Sequence, residues 1–282
     1  MLGVLSEVWP VEPAEMVRNV MSDFGHAKNR IAYVLAPRTV QTIAMTRNEY
    51  VEVFFPQMVK ILGHRGNPAR YGDNELAGIR QAADVANGAE VDVRRCGSGE
   101  LVLAHDPVIG DSIIAETGLD ALLRLDADLA TAEDLFAADV PGTLDLEVKN
   151  SPLDPGFEGD HAIAFEVAER ARSGDLVTCF YCPSVDAVAA RFPDVDTGLL
   201  MAIGDPADAV AHAVRAGHGW IAPHHELISL DVVDLAHTSG LSVAAWTVND
   251  RERVHELVRY GIDTIITDTP LEAVVWAEEF KR

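Results

Sequence analysis

From Val59 onward, short runs of apolar and β-branched residues alternate with stretches in which apolar residues recur every three to four positions. The short runs predict buried strands, and the longer stretches predict amphipathic helices, among them 74–86, 162–172 and 250–260. A regular alternation of the two is typical of βα units, in which parallel strands are joined by helices.

Eight runs have the length and composition of buried parallel strands. They are 60–63, 89–93, 144–148, 176–180, 198–201, 220–222, 242–246 and 264–267. A ninth run, 101–105, follows after only seven residues, whereas a parallel crossover takes about a dozen or more. It therefore predicts a hairpin excursion. Eight parallel strands with helices between them predict an α/β fold, a (β/α)₈ barrel of the TIM type, with its site at the carboxyl ends of the strands.

An open, doubly wound sheet is the alternative architecture for such a pattern. It usually carries a glycine-rich nucleotide-binding turn, and neither G-x-G-x-x-G nor a P-loop occurs in this chain. The barrel is the preferred prediction.

The first 57 residues differ in composition from the rest. Residues 1–57 contain six acidic and five basic residues, a net charge of −1, whereas 58–282 contain 39 and 17, a net charge of −22. We therefore place a boundary at about Met58, and expect 58–282 to be the barrel domain and 1–57 an extension outside the fold. The competing interpretation is an N-terminal cap with a helix over 13–21 and a strand over 50–55.

Composition excludes several classes of protein. The formal charge of −23 disfavours a general binder of nucleic acid or anionic membranes. The first ten residues lack the basic region of a secretion signal, and no stretch approaches the roughly 18 apolar residues of a membrane span. Three cysteines, an odd number, argue against a disulfide framework. We expect a cytoplasmic protein without stable membrane insertion that acts on a small molecule.

Two predicted strands carry charges where apolar residues are expected. Parallel barrel strands are covered on both faces, yet the alternation of side chains places Glu90 and Asp92 on one face of their strand. It likewise places Asp145, Glu147 and Lys149 on the axis-facing side of theirs. Clustered carboxylates repel one another, so either some are protonated or a cation lies among them. Oxygen ligands alone favour Mg²⁺ or Ca²⁺ over zinc. The alternative is an internal salt-bridge network with Lys149.

Two histidines end strands in the same region. His64 follows the strand at 60–63, and His105 ends the excursion. A pair of histidines beside carboxylates suits acid-base cleavage of a phosphoester, with one ring neutral and one protonated near neutral pH. Arg65 can bind a phosphate with two hydrogen bonds, and Lys149 offers a second cation.

A series of motifs in this order resembles the glycerophosphodiester phosphodiesterase family over about 58–275. The motifs are Gly63-His64-Arg65-Gly66, Asp73-Asn74-Glu75, Gly88-Ala89-Glu90-Val91-Asp92-Val93, Leu101-Val102-Leu103-Ala104-His105-Asp106, Asp145-Leu146-Glu147-Val148-Lys149, Trp246-Thr247-Val248-Asn249 and Gly261-Ile262-Asp263-Thr264-Ile265-Ile266-Thr267-Asp268-Thr269-Pro270. Such a series of motifs in order is far more specific than any one of them.

The resemblance implies a TIM-type barrel that hydrolyses glycerophosphodiesters. It implies the following site: a divalent cation, Mg²⁺ or Ca²⁺, held by Glu90, Asp92 and Glu147; His64 and His105 as acid and base; Arg65 and Lys149 on the phosphate; and Trp246 lining the glycerol pocket. Three positions depart from the family pattern: Asp73-Asn74-Glu75, the turn at 95–99, and Cys179 in place of a serine. They concern the shape of the pocket, since none is a proposed metal or histidine position.

We expect the cation and Arg65 to bind the non-bridging phosphate oxygens while one histidine activates the nucleophile and the other protonates the leaving alcohol. The nucleophile is water or the glycerol 2-hydroxyl of the substrate, and attack by the 2-hydroxyl would give a cyclic phosphate first.

A phospholipase D-like enzyme acting on lysolipids or sphingomyelin is the nearest rival function, but it needs apolar membrane-facing loops, which do not stand out in the sequence. A metal-independent phosphoinositide lyase would not need three carboxylates, and the histidine pair disfavours a non-catalytic phosphoester-binding barrel.

Overall fold

The computed structural model describes residues 59–279 in full and the backbone of 30–36, 39–46 and 49–54. The chain divides into two compact units, Met1–Gln57 and Met58–Arg282. In the first unit, strands β1 (Arg30–Ala36), β2 (Thr39–Thr46) and β3 (Glu49–Phe54) form an antiparallel sheet in sequential order. The strand expected at 50–55 overlaps β3, and the helix expected at 13–21 lies outside the described residues.

The second unit is a closed barrel of eight parallel strands, as predicted. The strands are β4 (Lys60–Gly63), β5 (Gly88–Arg95), β9 (Thr143–Val148), β10 (Leu176–Cys179), β11 (Asp196–Met201), β12 (Trp220–Pro223), β13 (Ser242–Ala245) and β14 (Thr264–Thr267). Neighbours in sequence are neighbours in the ring, and β14 and β5 both pair with β4, which closes it.

The predicted excursion is also confirmed. Strand β6 (Leu101–Leu103) pairs antiparallel with β5 and stands outside the ring, with Val93 opposite Leu103. A two-stranded ribbon follows, formed by β7 (Val108–Ile109) and β8 (Ser112–Ile113). A satellite core lies under this segment, and it consists of Cys96, Val102, Ile114, Leu122 and Leu129.

Helices surround the ring because each turns an apolar face towards the strands. They are α1 (Leu76–Val85), α2 (Leu119–Leu125), α3 (Ala132–Ala137), α4 (Ala162–Arg170), α5 (Cys182–Arg191), α6 (Pro206–Ala216), α7 (Leu230–Thr238), α8 (Arg251–Tyr260) and α9 (Pro270–Glu279). Several begin at a capping side chain. Asp205 and Asp250, for example, accept backbone N–H bonds from the first turns of α6 and α8. No helix in the described part of the chain is long and apolar enough to cross a membrane.

The alternation of side chains separates two cores. Val91, Leu146 and their neighbours pack outward against the helices in the main apolar cluster. Inside the ring a smaller apolar cluster contains Leu62, Leu200, Ala222, Ala244 and Ile266. The register places Glu90 beside Asp145 and Asp92 beside Glu147, on the other face from the outward aliphatic residues. The barrel interior is thus partly apolar and partly acidic.

A glycine allows the chain to turn sharply after the first barrel strand. A Cβ on Gly63 would lie 1.9 Å from the carbonyl oxygen of Gly66, so a larger residue does not fit. The tight turn brings His64 and Arg65 back over the carboxyl end of β4.

Candidate active site

Three carboxylates meet inside the barrel. Ligand atoms of Glu90, Asp92 and Glu147 all lie within 4.8 Å of one another, and all three residues are buried. They belong to adjacent strands β5 and β9, where the register pairs Asp92 with Glu147. The structure therefore brings together the three residues that the sequence analysis assigned to a cation.

Burial and mutual repulsion make these carboxylates hard to ionise together. Burial, and then the charges of Asp92 and Glu147, raise the pKa of Glu90 well above its usual range. Burial raises the pKa of Asp145 to about 7, although Thr178 donates a hydrogen bond of 2.7 Å to it. Without a cation, protons must neutralise part of the cluster.

Lys149 enters the cluster from the end of β9. Its ammonium contacts Glu147 and lies 2.8 Å from an oxygen of Asp92. Burial opposes the ionised form of Asp92, but the charge and hydrogen bond of Lys149, together with Asn74 and Arg65, lower the pKa of Asp92. The ion pairs of the alternative interpretation are therefore present in the structure.

Those ion pairs leave part of the negative charge uncompensated. Lys149 and Arg65 supply two positive charges, against the four carboxylates of Glu90, Asp92, Asp145 and Glu147. Oxygen Oε1 of Glu90 is buried and accepts no hydrogen bond from any residue that the structure describes. A buried triad of oxygen ligands with spare negative charge fits a hard divalent ion such as Mg²⁺ or Ca²⁺.

Arg65 contacts the triad through both its backbone and its side chain. Its N–H donates a hydrogen bond of 2.8 Å to Oε2 of Glu90, and its Nε lies 3.3 Å from Asp92. The backbone of Arg65 is left-handed, with φ of 49°. This conformation is unusual for a residue with a side chain and is found more often at functional sites. Asp73 binds the outer face of the guanidinium at 2.6 Å.

Asn74 fixes the position of Asp92 in the triad, a role that the sequence analysis did not assign. Its side-chain amide donates to Asp92 at 2.8 Å, and its carbonyl oxygen accepts from the backbone N–H of Asp92 at 3.0 Å. The residue is buried and has a left-handed backbone with φ of 60°. Its place in the Asp73-Asn74-Glu75 motif was the available signal.

His64 is oriented by a carboxylate from the last strand. Its Nδ1 lies 2.6 Å from Oδ1 of Asp268, and its Nε2 points towards Glu90, at 4.0 Å. Asn249 donates a further hydrogen bond of 2.5 Å to Asp268. Burial opposes ionisation of Asp268, but the hydrogen bonds from His64 and Asn249 and the charge of Arg65 together lower the pKa of Asp268. The ionised carboxylate therefore fixes the orientation of the His64 ring.

His105 lies on the open side of the cluster. Its Nδ1 is 2.8 Å from Asp106, and Arg94 fixes the loop by donating two hydrogen bonds to the carbonyl of His105. Burial and the charge of Lys149 lower the pKa of His105, against the opposing effect of Asp92. The ring is thus close enough to respond to the charged site, and its neutral form is favoured.

Trp246 forms an aromatic wall at the carboxyl ends of the strands. Its indole N–H donates to the carbonyl of Ala222 at 2.7 Å. Phe180 and His224 meet the indole edge to face, with centroids 5.4 and 5.2 Å away. The ammonium of Lys149 lies 5.9 Å from the centre of the Phe180 ring, which connects the wall with the charged cluster.

Comparison with known proteins gives matches over most of the chain. The model of the Glycerophosphoryl diester phosphodiesterase family matches residues 64–272. A glycerophosphodiester phosphodiesterase of Caldanaerobacter subterraneus is 24% identical over 233 residues, which are 74% of this chain and 94% of that protein. One from Bacillus altitudinis is 24% identical over 79% of this chain and all of its own length.

Solved structures share the fold at similar levels of sequence identity. The glycerophosphodiester phosphodiesterase of Thermotoga maritima superposes with a TM-score of 0.66 at 24% identity, covering 78% of this chain and 98% of its own. A phosphodiesterase of Oleispira antarctica, solved with the product sn-glycerol-3-phosphate, gives 0.67 at 20% identity, with 78% and 97% covered.

Proposed function

We propose, because the chain belongs to the Glycerophosphoryl diester phosphodiesterase family, that it hydrolyses glycerophosphodiesters to glycerol phosphate and an alcohol in a metal-dependent reaction. Two relatives that match this chain over nearly their whole length carry the name of this activity. The observation that carries the proposal is the buried triad of Glu90, Asp92 and Glu147, with His64 at 4.0 Å from Glu90 and His105 near enough to interact with the charge of Asp92.

The triad would hold the divalent cation through its oxygens. When bound, such an ion neutralises the charge that develops on the phosphoryl oxygens. Glu90 is already positioned for this role because Arg65 N–H fixes one of its oxygens and leaves the other unbonded among the described residues. Asn74 fixes Asp92 in the same way.

Arg65 and Lys149 would bind the substrate phosphate. Both lie beside Asp92 and keep a small exposed fraction, 20% and 10% of their side chains. Cations positioned before the reaction stabilise a charged transition state without a cost of reorganisation. Trp246 and Phe180 would then form the wall of the pocket that receives the glycerol group.

The two histidines would divide the proton transfers. His105, whose neutral form is favoured, would accept the proton of the nucleophile. His64, supported by Asp268, would carry a proton and deliver it from Nε2 to the leaving alcohol oxygen. The nucleophile remains water or the glycerol 2-hydroxyl.

A second candidate substrate, a lysophospholipid, is favoured by one observation. Large apolar side chains are exposed on the loops after three neighbouring strands, β9, β10 and β11. They are Leu153, Phe180 and Ile203, exposed by 94%, 41% and 85%. These positions are far apart in the sequence and form no apolar run, so the sequence analysis did not identify them. An alkyl chain lying across them would leave its phosphodiester at the site.

A panel of substrates tests the proposed activity. The full chain is incubated in Mg²⁺ and in Ca²⁺ with glycerophosphocholine, glycerophosphoethanolamine, glycerophosphoglycerol and a lysophosphatidylcholine, and glycerol phosphate and free alcohol are measured. We expect glycerol phosphate from at least one small diester. Turnover of the lysolipid alone would establish the second candidate, and no turnover of any substrate would favour a non-catalytic barrel.

We also propose that 58–282 is an independent domain. All eight strands that close the ring lie after Met58, and the first of them already supplies His64. A chain beginning at Met58 should therefore keep its turnover within about twofold of the full chain. Its Tm should stay within a few degrees, which corresponds to a change of less than about 1 kcal/mol in the free energy of unfolding. Aggregation, or melting many degrees lower, would show that 1–57 covers part of the barrel core.

A further inference from the structure

We propose that Asp186, His212 and His218 form a second metal site, suited to Zn²⁺, on the outside of the barrel. Asp186 is on α5, His212 is on α6, and His218 lies two residues before β12. This is the amino-terminal end of the strands, whereas His64 and Lys149 follow carboxyl ends. The cluster is therefore separate from the proposed active site.

The ligand atoms already converge. Nε2 of His212 lies 2.9 and 3.0 Å from the two oxygens of Asp186, and Nε2 of His218 lies 2.9 Å from one of them. Atoms from all three residues fall within 4.8 Å of one another. Tetrahedral zinc, with bonds of about 2.0–2.2 Å, separates neighbouring ligand atoms by about 3.3 Å. Small side-chain rotations would open the cluster to that spacing.

The second ring nitrogen of His218 has the partner that a metal-bound histidine needs. Nδ1 of His218 lies 2.8 Å from the hydroxyl of Thr197, near the start of β11. Such outer partners fix the ring and its tautomer, so that the other nitrogen faces the ion. The side chain of His218 is completely buried, and its ring stacks on that of His212 with a centroid distance of 6.2 Å. The geometry is thus built into the packing of α5, α6 and the sheet.

The chemistry of the donors separates this site from the carboxylate triad. Two imidazoles and one carboxylate suit zinc and similar transition metals, whereas three carboxylates suit Mg²⁺ or Ca²⁺. Asp186 and His212 are exposed by 34% and 33%, which leaves an open side on which water can complete the coordination. The ion would connect α5 to α6 and stabilise the folded chain.

His237 provides a matched control. Its Nε2 bonds to Asp263 at 2.8 Å, and its side chain is 34% exposed, close to the value for His212. His237 lies on α7, and no other histidine shares Asp263 in the described part of the chain. Replacing either histidine therefore removes a half-buried ring from one aspartate, but only His212→Ala removes a proposed zinc ligand.

The test is Zn²⁺ binding by the full chain after treatment with chelator. Equilibrium dialysis in excess Mg²⁺, which would occupy the proposed site at the carboxylate triad, gives the affinity for Zn²⁺, and thermal melting gives the shift that Zn²⁺ causes. The wild-type chain and His237→Ala should bind Zn²⁺ and melt at a higher temperature with it, because an ion bound only to the folded state stabilises it. His212→Ala and Asp186→Asn should lose at least about tenfold in Zn²⁺ affinity and most of the Tm shift. Tenfold is the lower limit because loss of a residue that only supports a metal ligand already costs about that much.

Three results would overturn the proposal. They are equal Zn²⁺ affinity in wild type and His212→Ala, an equal loss in His237→Ala, and a wild-type Tm that Zn²⁺ does not change. Turnover in Mg²⁺ should be the same for wild type and His212→Ala, because His212 does not touch the carboxylate triad.

Discussion

Replacing His64 by alanine is expected to lower turnover of a glycerophosphodiester by about two to four orders of magnitude, the range for loss of a general acid or base. Asp268 holds Nδ1 of this ring at 2.6 Å, so Nε2 is presented to the site in a fixed direction. Alanine removes the proposed proton donor, so the alcohol would have to leave as an alkoxide. His105→Ala should cause a loss in the same range, because it removes the proposed base.

The measurement is the initial rate in saturating Mg²⁺, with thermal melting as the test of folding. The side chain of His64 is 18% exposed and lies in the loop after β4, so its replacement should cost little stability. His237→Ala serves as the matched control, since its ring also bonds to an aspartate but lies on helix α7. Near-normal turnover of His64→Ala or His105→Ala would mean that the ring concerned has only a structural role.

The pattern of alternation in two strands was enough to predict the acidic interior. Glu90 and Asp92 alternate with valine and alanine, and Glu147 alternates with leucine and valine, so each strand has an acidic face. The parallel register then sets Asp92 beside Glu147. The sequence therefore predicted the central carboxylates from a period of two in adjacent strands, and the barrel from eight apolar runs that alternate with helical stretches.

The partners that orient these groups were not predicted, since they come from loops distant in the chain. Asp268 is 204 residues from His64, and only closure of the ring, with Thr267 opposite Gly63, makes them neighbours. Asn74 reaches Asp92 through a left-handed loop conformation that no periodicity indicates. The conformation of Lys149 was also left open by the sequence, because a strand position fixes the direction of a long side chain but not its contacts.

The cluster of Asp186, His212 and His218 shows a further limit of motif analysis. Its residues come from two helices and a connecting turn, so their spacings of 26 and 6 residues match no metal-binding motif. Their proximity depends on the packing of α5 against α6, which a one-dimensional pattern does not specify.

Replacing Glu147 by glutamine is expected to abolish the metal dependence and the activity together. The amide keeps the volume of the side chain but removes one of three charges that would hold the cation. Burial raises the pKa of Glu147, which shows that its ionised form is costly in the folded chain when no ion is present. Thermal stability measured without metal should therefore be unchanged or higher.

Lys149 makes this stability measurement informative. Its ammonium contacts Glu147 but also lies 2.8 Å from Asp92, so the variant retains one partner for the buried lysine. If the carboxylates served chiefly as an internal salt-bridge network, Glu147→Gln would instead lose several kcal/mol of metal-free stability, about 3–5 for a broken buried pair. Melting both chains in chelator separates these outcomes.

The most direct test of the account is turnover of a small glycerophosphodiester by the full chain in excess chelator, followed by the addition of Mg²⁺ or Ca²⁺. We predict that turnover disappears in chelator, returns with either ion, and does not return in Glu147→Gln, since an oxygen-only triad forms a hard-cation site. Full turnover of the wild-type chain in excess chelator, or turnover by Glu147→Gln that responds to Mg²⁺ as the wild type does, would contradict the assignment of Glu90, Asp92 and Glu147 as the metal ligands of this phosphodiesterase.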